Sequence, residues 1–179
     1  TYSPDNIRPT GKLVIRSSNI QDDRLVFKDN VFVERSCVKS ESVKKGDIII
    51  CVRNGSSALI GKSAYVTSDL DATFGAFMSN FRCENIQHSA FVYYYTKSMG
   101  FKNFVKQILG ATINQITKTD LTRVNIKMPF DIKEQQAIAE VLTAMDEEIE
   151  SLKVEKEKMM QIREGAMDDL LTGRVRLKV

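Results

Sequence analysis

At 179 residues, 42% hydrophobic and 27% charged, the chain holds enough apolar material for one ordinary folded domain plus an appendage, which excludes wholesale disorder. Its net charge of +3 hides a division: residues 1–130 carry 18 Lys/Arg against 11 Asp/Glu, residues 131–171 carry 5 against 12, and the tail from 172 adds three positive charges. No apolar run nears the roughly 18 residues of a membrane span and the first residues lack a signal-peptide pattern, so neither membrane nor export is expected.

From the N-terminus, Leu13-Val14-Ile15-Arg16, Leu25-Val26-Phe27, Val31-Phe32-Val33 and Asp47-Ile48-Ile49-Ile50-Cys51-Val52 are short β-branched runs between polar turns. They predict a curved, mostly antiparallel sheet. Lys45-Gly46-Asp47 turns into the most hydrophobic strand, Arg53-Asn54-Gly55 turns out of it, and Ala64 to Thr67 is the expected return. Ser89 to Met99 and Phe101 to Leu109 read as helices, with Phe91, Tyr94, Tyr95, Phe104, Val105 and Ile108 taken as core packing rather than a base-stacking platform. The polar stretch Gly110 to Lys118 leads to an expected last strand around Val124 to Met128.

Pro129 then closes the head. Asp131-Ile132-Lys133-Glu134 is a D-x-x-E capping box with Asp131 as N-cap. Ile138, Leu142, Met145, Ile149, Leu152, Met159, Ala166 and Leu170 follow on four- and three-residue steps, interrupted in phase by Lys156 and Arg163, which is the pattern of a coiled-coil seam. Gly173 is the expected left-handed C′ residue, with Arg174 and Arg176 at the negative end of the helix dipole. At 1.5 Å per residue, some forty residues make a rod of roughly 60 Å. The expected fold is therefore α+β: a head over 1–130, one long helix over 131–172 and a tail over 173–179. A stripe that long predicts a second helix to cover part of it.

Catalytic chemistry is hard to place. Gly55…Gly61-Lys62-Ser63 resembles a phosphate-cradling P-loop, but it has five intervening residues where four are needed, and a strand rather than a helix should follow. His88 is the lone histidine, which leaves no His-based metal cluster. Cys37, Cys51 and Cys83 lack C-x-x-C spacing, and three distant cysteines fit reduced thiols in a cytoplasm better than a disulfide framework. Asp131-Ile132-Lys133 matches a nuclease D-x-K fragment by letter, but helix capping accounts for it. No enzyme, no metal and no cofactor is expected.

Polar side chains suited to base edges and phosphates instead gather in three predicted turns of the basic head. Arg16, Ser17 and Asn19 follow the first strand; Arg53, Asn54, Ser56, Ser57 and Lys62 fill the central loop; Asn114, Gln115, Thr117 and Lys118 fill the last. Arg can read guanine, Asn and Gln adenine, while Lys and Ser hold phosphate. A basic head of this kind suggests a polyanion partner, with the acidic rod facing proteins.

The order of these pieces resembles the specificity subunit of type I restriction-modification systems. The matching blocks are Asn6-Ile7 with Gly11 to Ile20; Lys45 to Ile50, Arg53 to Gly55 and Gly61-Lys62; Gly110 to Ile116 and Leu121; Pro129, Glu134-Gln135, Ile138-Ala139, Leu142, Asp146, Ile149 and Leu152; and Leu170 to Arg176. The two specific blocks are E-Q-x-x-I-A-x-x-L…D…I…L and L-L-T-G-x-x-R. The resemblance implies a non-catalytic target recognition domain for double-stranded DNA, followed by a spacer helix. In that family two recognition domains read the halves of a split target and two spacers pack antiparallel; methyltransferase subunits dock on them, and restriction subunits join through those. One domain and one spacer here, from Thr1-Tyr2 onward, imply either a fragment or a half-size subunit that dimerises. A coiled-coil adaptor with a protein-binding head is the rival reading.

Overall fold

The computed structural model describes residues 4–38, 42–111 and 114–178, so Thr112 and Ile113 of the last polar loop lie outside the described residues. The chain forms two compact units, Thr1–Ala137 and Ile138–Val179.

In the first unit, the strands are β1 (Ile7–Arg8), β2 (Lys12–Ile15), β3 (Ile20–Gln21), β4 (Arg24–Leu25), β5 (Val31–Val33), β6 (Ile48–Cys51), β7 (Ser63–Tyr65), β8 (Ala72–Phe74) and β9 (Met78–Phe81). Helices α1 (Ser89–Lys97), α2 (Met99–Ala111) and α3 (Lys118–Thr122) follow, and α4 (Ile132–Leu171) starts before the unit ends. The strands form a four-stranded sheet ordered β1-β5-β2-β8, a β3-β4 hairpin and a three-stranded sheet ordered β7-β6-β9. Pairing is antiparallel throughout except between β2 and β8, which run parallel in the register Val14↔Thr73. The expected single curved sheet is thus divided.

Strand β6 explains the Ile-Ile-Ile-Cys run. Successive strand residues face opposite sides. Ile49 and Cys51 enter one core with Ile15, Ile20, Ala64, Val66 and Ala72; Ile48 and Ile50 enter another with Val92, Tyr93, Phe101, Val105 and Ile116. A strand buried on both faces has no polar side, and all four residues have no exposed surface.

The turn feeding β6 is held by an ion pair between the buried Asp47 and the more exposed Arg82. The Asp47 carboxylate accepts from Arg82 Nε at 2.7 Å and Nη2 at 2.8 Å, from Asn80 Nδ2 at 2.9 Å and from the Lys44 amide at 2.8 Å. Burial pushes this carboxyl up, but the Arg82 guanidinium and the other donors outweigh it and hold Asp47 below its ordinary value.

Some sequence expectations need correction. Strands β8 and β9 were not expected, and the run expected as a strand over Leu25 to Phe27 pairs only at Arg24–Leu25, leaving Phe27 exposed. Val124 to Met128 forms no regular element and pairs with no described strand. Its alternation is nonetheless real: Val124 and Ile126 pack on the α1–α2 core, and Tyr95 Oη donates to the Asn125 carbonyl at 3.0 Å. Period-two apolarity reports one-sided burial, and here a helix pair supplies the surface that a sheet was expected to supply.

The start of α4 is tied down within the same unit. Asp131 Oδ1 accepts from the Lys133 amide at 2.9 Å, so the cap closes on the second helical residue. Gln135, only 2% exposed, shares a hydrogen bond with His88 Nδ1 at 2.7 Å through Oε1 and donates from Nε2 to the Pro129 carbonyl at 2.6 Å.

The second unit is the remainder of α4 and the tail. Of the predicted seam, Ile138 and Leu142 are half-buried, whereas Met145, Ile149, Leu152, Lys156, Met159, Ala166 and Leu170 are exposed. Val141, Met160, Met167 and Leu171 are also exposed and widen the stripe at 100° per residue. Gly173 takes the expected left-handed conformation at φ +73°, and its amide donates to the Leu170 carbonyl at 3.3 Å. Arg174 is engaged by a carboxylate of the last turn, Asp169 Oδ1, at 2.6 Å.

Candidate nucleic-acid interface

The three polar loops, separated by up to a hundred residues in sequence, are joined by direct contacts. Asn54 Nδ2 donates to Ser17 Oγ at 3.2 Å, linking the central loop to the first. Arg53 and Gln115 form an isolated antiparallel bridge, the Ile116 amide donates to the Val52 carbonyl at 2.7 Å, and Asn114 Nδ2 reaches the Gly55 carbonyl at 3.4 Å. Those bonds join the last loop to the central one. Arg53 stands where β6 ends, so the most deeply buried strand of the unit carries the meeting point.

A residue absent from the sequence expectation lies at the same place. Phe77, in the turn between β8 and β9, is 47% exposed, and the Arg53 guanidinium lies 5.4 Å from its ring centroid. The Phe77 carbonyl accepts from the Val52 amide at 2.9 Å and the Arg53 amide at 3.2 Å, which fixes the aromatic beside the cation. Gly75-Ala76-Phe77 offers no polar signal to a search for base readers. An aromatic in a turn between unrecognised strands was the available clue.

The individual predicted residues divide by environment. Arg53, Ser56, Ser57, Lys62, Thr117 and Lys118 are exposed; Arg16, Ser17, Asn54, Asn114 and Gln115 are partly so. Asn19 is a correction: it is fully buried, its Oδ1 accepts from the Arg16 amide at 3.0 Å, and its Nδ2 donates to the carbonyls of Val26 at 3.0 Å and Lys28 at 3.4 Å. With both ends of its amide used and no surface, it shapes the Arg16 turn and has nothing to present to a base. Thr117 is likewise committed, since its Oγ1 caps α3 by accepting from the Asp120 amide at 3.1 Å. The Thr117 hydroxyl and backbone in turn hold the Asp120 carboxyl below its usual range.

Arg16 donates from Nη2 to the Asp29 carbonyl at 2.5 Å, while its buried Nε has no hydrogen-bond partner among the described residues. Beside it a hollow of about 490 Å³ is lined by Arg16 to Ser18, Gly75 to Met78 and the apolar side chains of Ile7, Val14, Val31 and Val33. Cys51 is buried next to Arg53, and desolvation pushes its thiol up, away from the thiolate a nucleophile needs. The P-loop-like segment from Gly55 to Ser63 contains a 3-10 turn at Ser57–Leu59 and runs into β7, so it presents no α-helix N-terminus to a phosphate. Among the described residues no three His, Cys, Asp or Glu side chains gather as a metal site. Among the described residues no helix is long and apolar enough to cross a membrane.

Residues 6–159 match the family described as the type I restriction modification DNA specificity domain, and the chain belongs to that family. It is 33% identical over 180 residues to the type I restriction enzyme EcoKI specificity subunit of Escherichia coli K12, covering 99% of this chain and 38% of that protein. It is also 33% identical over 163 residues to the StySPI specificity subunit of Salmonella potsdam, covering 90% and 34% of the two chains. The chain thus spans less than half the length of these curated relatives. A solved chain from work on complex assembly and conformational transition of the type I R-M system superimposes with a TM-score of 0.68 at 17% identity, over 94% of this chain and 41% of that one. That likeness establishes a shared fold.

Proposed function

We propose that this chain is the target-reading part of a type I restriction-modification specificity subunit: residues 1–130 read one half of a bipartite duplex sequence, and the helix over 131–172 sets the distance to the other half. The observation that carries the reading is the junction of three polar loops at Arg53, with a guanidinium stacked on a half-exposed aromatic. Arginine edges, amide side chains and an apolar ring are the groups that base recognition uses, and they stand together on the basic part of the chain. Family membership supplies the class of partner.

In this reading the chain performs no chemistry itself. Methyltransferase subunits dock on it and bring the cofactor-dependent step, restriction subunits join through them, and the whole works in the cytoplasm. The exposed stripe from Met145 to Leu171 meets a second spacer helix, antiparallel, from a second copy or from the remainder of a longer subunit. Selection from a pool of random duplexes, with methyltransferase subunits present, tests the assignment. A recurring short motif is expected; retention of DNA without sequence enrichment, or none at low salt, would favour a protein-binding adaptor.

A further inference from the structure

We infer that α2 carries a separate contact with the duplex: Lys102 and Lys106, grouped with Lys62 and Lys97 around one hollow, hold the phosphate backbone alongside the loops. This rests on the DNA-reading assignment above. It extends that assignment to a helix with no base-reading signal in its sequence.

The charge on this helix has no counterpart nearby in the chain. Between Glu84 and Asp120 there is no Asp or Glu, while Lys97, Lys102, Lys106 and Lys118 all fall in that interval. Within α2 the buried Phe101 and Val105, with the half-buried Phe104, Ile108 and Leu109, face the core. Lys102 and Lys106 follow them one position on, four residues apart, and so lie in one row on the exposed side. Like charges in such a row repel, and no acidic residue on α2 relieves them. Lys62, Lys102 and Lys106 form no ion pair among the described residues, so their ammonium groups remain available to a partner.

The position of this row relative to the central loop is set by packing. A hollow of about 270 Å³ is bounded on one side by Ser57 to Ser63 and on the other by Lys97, Lys102, Val105 and Lys106. Gly61, at φ +87°, brings the loop so close to α2 that a Cβ there would stand 3.2 Å from a Val105 methyl. Lys62 therefore belongs both to the predicted base-reading loop and to the lysine group. Lys97 is held by cation–π contact with Tyr93 and Tyr94, each at 5.3 Å, and it pairs at 3.7 Å with Asp23, which also lines the hollow.

The chemistry favours phosphate over a protein surface. Protein interfaces are depleted in lysine, and a lysine ammonium is a compact, strongly hydrated charge without the directional fork that reads a planar partner. Repeated lysines on a rigid row suit a partner with repeated charge, and the row is continuous with the loop carrying Lys62. Such contacts position the duplex and add equally to every sequence.

The experiment measures binding of the full chain, with methyltransferase subunits, to a selected duplex and to a scrambled one across a salt series. The double variant Lys102→Gln with Lys106→Gln should reduce the slope of log affinity against log salt by about 2, near 0.9 per phosphate contact, and leave the ratio between the two duplexes unchanged. Lys102→Arg with Lys106→Arg should keep the wild-type slope, and thermal melting checks that each variant folds. An unchanged slope with binding intact overturns this contact while leaving the recognition assignment standing. Loss of methyltransferase docking with an unchanged slope overturns it too, in favour of a protein partner. If the wild-type chain binds neither duplex at any salt, both readings fall together.

Discussion

Arg53 stands at the centre of the proposed interface. Its amide donates to the Phe77 carbonyl and its guanidinium lies over the Phe77 ring, so backbone and side chain both meet the same aromatic residue. If it reads a base, Arg53→Ala should weaken specific binding by about 1 to 3 kcal/mol and relax preference at one position of the target. A uniform loss across sequences in a competition assay would reduce it to a phosphate contact. Asp47 is a second decisive residue, for stability. Asp47→Asn removes the carboxylate that Arg82, Asn80 and the Lys44 amide share and should cost about 1 to 3 kcal/mol in a urea titration. Because the folded carboxyl lies below its unfolded value, its contribution is complete above the unfolded pKa of about 4 and fades as pH falls through the lower folded value. The wild type should therefore lose stability over that acid range and the Asn variant should lose less. Equal acid sensitivity would count against the ion pair as the cause.

At the scale of elements, the informative joint is where α4 begins. Gln135 bonds both the residue preceding α1 and the carbonyl of Pro129, so Gln135 of the family block has a structural task. Gln135→Leu fills similar space but strands the His88 Nδ1 and the Pro129 carbonyl in a buried setting. A loss of about 1 to 3 kcal/mol is expected, read as a lower denaturant midpoint, with the helix beyond residue 138 still formed by circular dichroism. No change in midpoint would mean water replaces both bonds. Helices were the most legible elements: α4 was bounded within a residue by its cap, its period and Gly173, since these are local signals. Strands β8 and β9 were missed because their partners, β2 and β6, lie far away in sequence and nothing local marks the pairing.

For the whole molecule the central quantity is distance. A 40-residue helix rises about 60 Å end to end, and if it is the spacer, its length determines the gap between half-sites. Inserting or deleting one helical turn near Lys156, where the seam is already interrupted by a charge, should shift the gap recovered from selected duplexes by a base pair or more. Recovery of the same gap would remove the ruler argument and leave the helix as a docking surface only. The charge division fits the proposed function: a basic part suits a polyanion partner, and an acidic helix suits a protein one.

The chain alone determined the helix with its cap and stop, the most buried strand, the charge division, and through motif order the family later matched over residues 6–159. These rest on contacts between near neighbours or on composition, both of which are written locally. The tertiary structure decided which polar residues share a surface. Asn19 and Arg16 sit in one short turn, yet the first is sealed inside and the second lines an open hollow. Phe77, with no polar signal at all, stands beside Arg53 because β8 and β9 fold back onto β2 and β6. Long-range pairing carries no local mark, so the site could be assembled only once those strands were in place.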